Sequence, residues 1–227
     1  MSSEALASLY PFLHGARQDA TSLDAALARS IADKAADGRD VSARFFREQG
    51  QGLLAAARAL AQVFGAGGRL FTMGNGGSSC DAAHIAVEFL HPVTAGRAAL
   101  PAIDLTANVA MLSAIGNDLG FEHVHVRQLV AQARAGDAVI GVSTSGNAAN
   151  LLTAFAKAKD MRLVTIGLAG GDGGKMLASG LVDHCLVVPS SSIHRIQECH
   201  VAAYHILWDL VHTLLADGRG SAGARVA

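Results

Sequence analysis

Short apolar runs alternate with longer amphipathic segments from the glycine pair Gly67-Gly68 to about residue 216, and this alternation constrains the fold more than any other feature of the sequence. The runs have the length of strands and occupy residues 69–73, 101–105, 138–142, 162–167 and 184–188. Segments of helical texture lie near residues 78–91, 107–115, 121–134, 147–159, 173–180 and 193–216. Strands joined by helical crossovers pair in parallel, with helices on both faces of the sheet. The sequence therefore predicts an α/β fold.

Residues 1–66 precede this alternation and are rich in Ala, Leu, Arg and Glu, which predicts an N-terminal helical extension. Gly38 and Asp40 are expected to interrupt it. The first 30 residues are a candidate for an arm that packs on a partner subunit. A single domain is predicted at 67–218, because 227 residues suffice for one full α/β domain but are few for two. Residues 219–227 are predicted to form a disordered tail.

Charge and cysteine usage argue against several partners and compartments. The formal net charge is -1 and no run of Lys or Arg occurs, so neither nucleic acid nor an anionic membrane is an expected partner. Residues 1–25 lack the basic start and apolar stretch of an export signal, and the apolar runs are too short to span a bilayer. The isolated cysteines Cys80, Cys185 and Cys199 are typical of reduced thiols. The expected location is the cytoplasm.

Two loops that follow predicted strands are rich in small polar residues. They read Gly-Asn-Gly-Gly-Ser-Ser at 74–79 and Ser-Thr-Ser-Gly-Asn at 143–147. Glycines let backbone N–H groups approach an anion, hydroxyls add donors, and the positive end of the next helix favours negative charge. Neither loop matches a dinucleotide-binding or Walker pattern, which argues against NAD and ATP. The loops are therefore either phosphate-binding loops at the carboxyl edge of the sheet or ordinary turns whose hydroxyls cap helices.

Histidines and carboxylates in several places are candidates for chemistry. His84 and Glu88 are four residues apart, so both lie on one face of the predicted helix, where such a pair can share a metal ion or a proton. A second cluster covers residues 194–200, and His205 follows it within an apolar helix. Taken alone, the first pair also fits a solvent-facing or capping pair, and His205 also fits a core histidine. A third group fits a turn and a helix start as well as a site: Asp118, Glu122, His123 and His125.

Taken together, these pieces occur in the order seen in phosphoheptose isomerases, and the chain resembles that family of sugar isomerase (SIS) domain proteins. The motifs that carry the resemblance are Gly74-Asn75-Gly76-Gly77-Ser78, His84 with Glu88, Gly116-Asn117-Asp118, Ser143-Thr144-Ser145-Gly146-Asn147, and Arg195-Ile196-Gln197-Glu198 with His205. The resemblance runs from about residue 50 to about residue 216. The set is specific, whereas the serine loop alone would indicate only a SIS domain.

The resemblance implies a fold, an assembly and an activity. The family has a flavodoxin-like three-layer sandwich with a five-stranded parallel sheet and forms homotetramers with active sites at subunit contacts; a homodimer is the alternative assembly. It converts sedoheptulose 7-phosphate to glycero-manno-heptose 7-phosphate, an aldose–ketose isomerisation that moves a proton through an enediol(ate). Such chemistry needs a base, an acid for the oxygens and stabilisation of negative charge, to which a zinc ion with nitrogen and oxygen ligands contributes.

Residue by residue, the resemblance implies three overlapping sets. The zinc ligands would be His84, Glu88, Gln197 and His205. Glu88 and His205 would also be the acid/base pair. The substrate contacts would be Asn75, Gly76, Gly77, Ser78, Glu88, Asn117, Asp118, Ser143, Thr144, Ser145 and Gln197.

Three features depart from the family's pattern and leave other functions open. Ala148 replaces a phosphate-binding serine, which removes a hydrogen bond of about 1 kcal/mol and allows another phosphosugar as substrate. His194 stands near where some relatives carry an acidic residue. Gln197 and His205 are separated by about 12 Å of helix rise, so one metal meets both only if their side chains lean together or a neighbouring chain contributes. The other alternative is a non-catalytic sensor or adaptor, like the SIS-domain relative that binds the replication initiator.

Overall fold

The computed structural model describes residues 20–223, and the chain falls into two compact units that divide between Arg39 and Asp40. The first described helix, α1 (Ala20–Gly65), runs continuously across this division. The predicted interruption at Gly38 and Asp40 is therefore wrong. A single interior glycine costs a helix only about 1 kcal/mol, and the surrounding sequence contains good helix formers and no proline. Residues 1–19, which hold most of the predicted arm, lie outside the described residues.

Five parallel strands form the sheet of the second unit, as predicted. They are β1 (Leu70–Gly74), β2 (Ala102–Asp104), β3 (Ala138–Ser143), β4 (Val164–Gly170) and β5 (His184–Val188). Their spatial order is β2-β1-β3-β4-β5, and every neighbouring pair is parallel. This is the flavodoxin-like order, in which the winding reverses between β1 and β3 and ligands bind beyond the carboxyl ends of the strands at that point.

Helices connect the strands and follow the last one. They are α2 (Gly77–Leu90), α3 (Val109–Asp118), α4 (Val126–Gln132), α5 (Ala149–Asp160), α6 (Gly174–Ala178) and α7 (Ile193–Gly223). A 3₁₀ helix, Phe121–His123, precedes α4, so the helix predicted at 121–134 is divided in two. Helix α7 continues to Gly223, into the segment predicted as a tail, and residues 224–227 lie outside the described part of the chain.

Apolar side chains on the two faces of the sheet form two separate cores. One core joins α1, α2 and α7 to the face that carries Leu70 and Ile140. The other joins α4 and α5 to the opposite face, which carries Phe71 and Val139. Consecutive strand residues belong to different cores because side chains alternate across a strand. The result is the predicted three-layer α/β sandwich.

The C-terminal part of α1 contributes to the first of these cores. Phe45 and Leu60 are fully buried in it. The compact unit that contains the sheet accordingly begins at Asp40, within the predicted extension, and not at the glycine pair where the sequence changes character. Among residues 20–223, the structure contains no helix that is both long and apolar enough to cross a membrane.

Candidate active site

Helices α2 and α7 pack against each other and bring His84, Glu88 and His205 together. His84 Nε2 lies 3.1 Å from Glu88 Oε1, and His205 Nε2 lies 3.9 Å from the same oxygen. The two imidazole rings meet edge to face, with 5.0 Å between their centroids. All three side chains are half-buried and can each offer one ligand atom within 4.8 Å of the others. Helical spacing pairs the first two, and the packing of α7 adds the third.

The donor set of this triad fits a zinc ion. Two imidazole nitrogens and one carboxylate oxygen are the protein ligands of many catalytic zinc sites, which keep a further position for water or substrate. The fit rests on this chemistry and on the mutual distances within 4.8 Å. The same side chains can also move protons, because imidazole and carboxylate groups are the side chains most often used as general acids and bases.

A tyrosine holds the His84 ring from its other side. His84 Nδ1 lies 2.7 Å from the hydroxyl of Tyr204, which is buried between α7 and α2. Burial, with the nearby carboxylates of Asp81 and Glu88, raises the pKa of Tyr204 to about 12, so the hydroxyl is neutral at physiological pH. Because Nδ1 is engaged, Nε2 is the nitrogen that faces Glu88. Hydrogen bonds of this kind orient the histidines that bind metals.

Asp81 lies one helical turn before His84 and is also buried. Within the described part of the chain its Oδ2 has no hydrogen-bond partner. Burial raises the pKa of Asp81, and the charge of His84 opposes that rise. Neither Asp81 nor Tyr204 was predicted as a site residue from the sequence. The spacing of Asp81, three residues before His84 on the same helix face, was the available signal, whereas Tyr204 could be found only from the packing of α7 on α2.

Gln197 lies at a different place from the triad. Its amide packs over Gly77 so closely that a Cβ atom at Gly77 would stand 2.4 Å from Gln197 Nε2. Gly77 is the first residue of α2, and His84 follows it by about 10 Å of helix rise. The structure therefore places the Gln197 side chain at the glycine loop, while His84, Glu88 and His205 meet further along the two helices. The assignment of Gln197 as a fourth ligand stays a prediction.

A cavity of about 310 Å³ opens beyond the carboxyl ends of β3, β4 and β5. Its lining is rich in hydroxyl and small side chains: Thr144, Ser145, Asn147, Gly170, Gly171, Asp172, Ser190, Ser191, Ile193 and Ile196. Two of the three residues predicted in the serine loop thus line it. The third, Ser143, ends β3 and is buried. Ser190 and Ser191 were not predicted, although three consecutive serines after the last strand were a signal of the same kind.

Close packing of two loops shapes this cavity. Gly146 has a φ of 65°, and a Cβ atom there would lie 2.1 Å from the carbonyl oxygen of Gly173. The amide of Asn147 donates to the carbonyl of Ser145 at 2.9 Å and accepts from the backbone N–H of Lys175 at 3.0 Å. The Asn147 side chain is therefore occupied in joining the loops. The backbone N–H of Asn147 donates to Ser145 Oγ at 3.3 Å, and the hydroxyl of Ser145 keeps its own proton to donate to a ligand.

The glycine loop after β1 is equally tight. A Cβ atom at Gly74 would lie 2.1 Å from the carbonyl oxygen of Ser78, and Gly76 has a φ of 53°. The N–H of Ser78 donates to the carbonyl of Asn75 at 3.0 Å. The amides of Asn75 and Asn150 donate to each other, both at 2.8 Å, and so tie the glycine loop to α5. A smaller cavity of about 140 Å³ borders Asn75 and Gly76.

Asn117 and Asp118 lie at the C-terminal end of α3, where both are exposed. The amide of Asn117 donates to Asp118 Oδ1 at 2.8 Å. Neither residue lines the 310 Å³ cavity or the 140 Å³ cavity. Their predicted contact with substrate therefore stays a prediction.

Comparisons with known proteins agree with this fold. A family model described as the SIS domain matches residues 35–170. The phosphoheptose isomerase of Roseiflexus sp. (strain RS-1) is 40% identical over 187 residues, which cover 82% of this chain and 94% of that protein. The solved structure of a phosphoheptose isomerase from Neisseria gonorrhoeae is 35% identical with a TM-score of 0.77, covering 82% of this chain and 99% of that one. A phosphoheptose isomerase structure from Francisella tularensis is 30% identical with a TM-score of 0.75, covering 81% and 97%.

Proposed function

Because this chain belongs to the phosphoheptose isomerase family of SIS-domain proteins, and is therefore a phosphosugar isomerase, we propose that it converts sedoheptulose 7-phosphate to glycero-manno-heptose 7-phosphate. The observation that carries the proposal is that α7 joins the two features the reaction needs. Ile196 in its first turns lines the hydroxyl-rich cavity, and His205 belongs to the triad. The helix rises about 13 Å between them, a span that suits an extended seven-carbon sugar phosphate better than a triose phosphate.

The phosphate would occupy the 310 Å³ cavity. Thr144, Ser145, Ser190 and Ser191 offer hydroxyl donors there, and the serine loop leads into α5, whose N-terminal end is positively polarised. The phosphate takes no part in the proton transfer. Its binding energy holds the sugar so that the reacting carbons lie at a fixed place, which lowers the entropic part of the barrier.

Glu88 and His205 would move the protons. In the ketose-to-aldose direction, the Glu88 carboxylate takes a proton from C1 of the sugar and returns it to C2. His205 gives a proton to the carbonyl oxygen on C2 and accepts one from the hydroxyl on C1, so the enediol(ate) is formed and consumed without net loss of protons. The 3.9 Å between His205 Nε2 and Glu88 Oε1 supports two groups that act on adjacent atoms of one substrate.

His84, Glu88 and His205 would hold zinc, with Gln197 as the predicted fourth ligand. When bound, zinc would polarise the oxygens on C1 and C2 and stabilise the negative charge of the enediolate. His84 has no proton-transfer role in this scheme. The hydrogen bond between its Nδ1 and Tyr204 keeps Nε2 directed at the cluster.

One assay tests the proposal directly. The purified protein is incubated with sedoheptulose 7-phosphate, with and without added zinc, and aldose formation is followed. We expect turnover that depends on zinc and that Glu88→Gln reduces by at least about 100-fold, since this change removes the base. The matched control is Glu48→Gln, because Glu48 is a surface carboxylate of α1 paired with Arg44. No turnover with or without zinc would refute the proposed substrate, and unchanged turnover in Glu88→Gln would refute the proposed base.

Ala148 supports a second candidate, an isomerase of another phosphosugar. It is the N-cap of α5 and provides no side-chain hydrogen bond to the helix end or to a ligand. Restoring a hydroxyl with Ala148→Ser should raise kcat/KM for sedoheptulose 7-phosphate by about fivefold if this is the substrate, which corresponds to one hydrogen bond of about 1 kcal/mol. If a panel of pentose, hexose and heptose phosphates instead shows a better substrate that Ala148→Ser impairs, the second candidate is correct.

We further propose that the protein acts as a homotetramer or homodimer with active sites at subunit contacts. Two observations support this. Asn117 and Asp118, which the family resemblance assigns to the substrate, are exposed and outside both cavities of one chain. Val109 at the start of α3 and Phe121 in the following 3₁₀ helix also expose 75% and 59% of their surface, and a subunit contact would cover such apolar side chains. Light scattering after size exclusion tests the assembly, and a monomer that is fully active would contradict it.

A further inference from the structure

Asn150, at the start of α5, has every hydrogen-bonding position of its side chain in use. Its Nδ2 donates to Asn75 Oδ1 at 2.8 Å and lies 3.3 Å from Nε2 of His125. Its Oδ1 accepts from Asn75 Nδ2 at 2.8 Å and from the backbone N–H of Leu151 at 3.0 Å. An amide group offers two N–H donors and one oxygen with two lone pairs, so this side chain is saturated.

These contacts fix which way the Asn150 amide points. A backbone N–H can only donate, so the atom that faces Leu151 must be the amide oxygen. The amide nitrogen therefore faces Asn75 and His125. If the amide were rotated by half a turn, its N–H groups would face the N–H of Leu151, and both donors would be buried without an acceptor.

The same logic fixes the protonation of His125. Its Nε2 faces an N–H of Asn150 and must be an unprotonated acceptor, so the proton of the neutral ring lies on Nδ1. His125 is only 1% exposed, and burial lowers its pKa to about 4, which agrees with a neutral ring. Within the described part of the chain Nδ1 has no hydrogen-bond partner. No contact of Nδ1 therefore explains a histidine at this position, whereas Nε2 is needed as the acceptor for the N–H of Asn150.

Asn75 is the point at which this network reaches the site. It is half-buried in the glycine loop and borders the 140 Å³ cavity together with His125. The amide pair with Asn150 uses one N–H and one lone pair of Asn75, which leaves the second N–H and the second lone pair for a ligand. The direction of these free groups depends on the direction of the Asn150 amide.

We propose that His125 is a positioning residue that orients the Asn75 amide for the sugar phosphate through the Asn150 amide. The inference rests on the proposed function in assuming that Asn75 contacts the substrate. His125 itself touches neither the triad nor the predicted phosphate cavity. Its acceptor at Nε2 holds the nitrogen end of the Asn150 amide, while the N–H of Leu151 holds the oxygen end, and the two contacts together keep both asparagine amides in one of their two orientations.

Kinetics with three variants test the positioning. His125→Phe keeps a ring but removes the acceptor, and we expect kcat/KM for sedoheptulose 7-phosphate to fall about tenfold, mainly through KM. His125→Gln returns an acceptor and should recover activity to within about threefold of the wild type. The matched control is Gln128→Met in the first turn of α4, the helix that His125 precedes; it removes buried hydrogen bonds to the carbonyls of Leu105 and Val124 and should change kcat/KM by less than about twofold. Activity of His125→Phe within twofold of the wild type, or no recovery in His125→Gln, would overturn the proposal.

Nitrogen NMR of the wild-type protein tests the network without any turnover. The imidazole signals of His125 should show a protonated Nδ1 and an unprotonated Nε2 between pH 6 and 8, and the opposite tautomer would overturn the proposal even if His125→Phe fails to fold. The side-chain amide signals of Asn75, assigned from Asn75→Asp, should shift in His125→Phe and not in Gln128→Met. If the wild type does not turn over sedoheptulose 7-phosphate, the proposed function fails, and the tautomer and amide signals still decide the positioning role.

Discussion

Replacing Tyr204 with Phe removes one hydroxyl from the core and leaves the shape of the ring almost unchanged. The hydroxyl lies 2.7 Å from His84 Nδ1, a short and therefore well-formed hydrogen bond. Tyr204 is 2% exposed, so water cannot replace the lost partner without a local rearrangement. We expect the variant to fold and to bind zinc more weakly.

The magnitude follows from how this bond changes when His84 becomes a ligand. With a neutral ring, a hydrogen bond of this kind is worth about 1 kcal/mol, whereas a bond to a ring that carries positive charge is worth about 1.5–3 kcal/mol. Only the difference of about 0.5–2 kcal/mol contributes to metal affinity, which corresponds to about 2- to 30-fold. This range overlaps the 10- to 100-fold losses typical of residues that support metal ligands.

Competition with a chromogenic chelator measures the zinc affinity of wild type and variant at one pH. The matched control is Thr165→Val, which also deletes a buried hydroxyl, here one that bonds the Leu181 carbonyl at 3.0 Å and Asp183 at 2.9 Å. Both variants should lose similar stability to urea, and only Tyr204→Phe should lose zinc affinity. Unchanged zinc affinity in a folded Tyr204→Phe protein, or an equal loss in Thr165→Val, would refute the reasoning.

Three other predictions test separate parts of the structure. Burial lowers the pKa of His125 and His200 from 6.5 to about 4, so between about pH 6.5 and pH 4 the unfolded chain binds more protons than the folded protein. The free energy of unfolding in urea should therefore decrease as the pH falls through that window, by about 1.4 kcal/mol per pH unit for each histidine. A flat profile would contradict this. Gly77→Ala should displace the Gln197 amide, because Gln197 Nε2 would lie 2.4 Å from the new Cβ atom. We expect kcat/KM to fall by about 10- to 100-fold with little change in Tm, and full activity would show that the reaction does not need Gln197 at this position. Asp137→Asn should lower the free energy of unfolding in urea titrations by about 2–3 kcal/mol, because the buried carboxylate accepts hydrogen bonds from two backbone N–H groups and a guanidinium. A loss below about 1 kcal/mol would contradict a stabilising role for these hydrogen bonds.

The order and type of most elements could be predicted from the sequence. The strand predicted at 138–142 is observed at Ala138–Ser143, and that at 184–188 is observed at His184–Val188. Buried parallel strands and the helices between them differ in length and in the spacing of apolar residues, and that difference is local information. The continuity of α1 through Gly38 was not predicted, because neighbouring helix formers and burial of residues such as Phe45 outweigh one unfavourable glycine.

The candidate site divides in the same way. The pairing of His84 with Glu88 follows from helical spacing, and the two loops follow from their glycines and hydroxyls. The family resemblance added His205, which taken alone also fitted a core histidine.

Tertiary structure decided what the spacing could not. The packing of α7 on α2 brings His205 to 3.9 Å from Glu88 and places Tyr204 against His84, although the two helices are more than 100 residues apart in the chain. The parallel pairing of β1 with β3 sets the ends of these strands side by side, and the Asn75 amide, just beyond β1, meets Asn150 at the start of α5. No local sequence pattern reveals these contacts, because each depends on where an atom of another helix, strand or loop lies in the folded chain. The sequence by itself thus determined the elements and the residues available for chemistry, and the packing of those elements determined which residues meet.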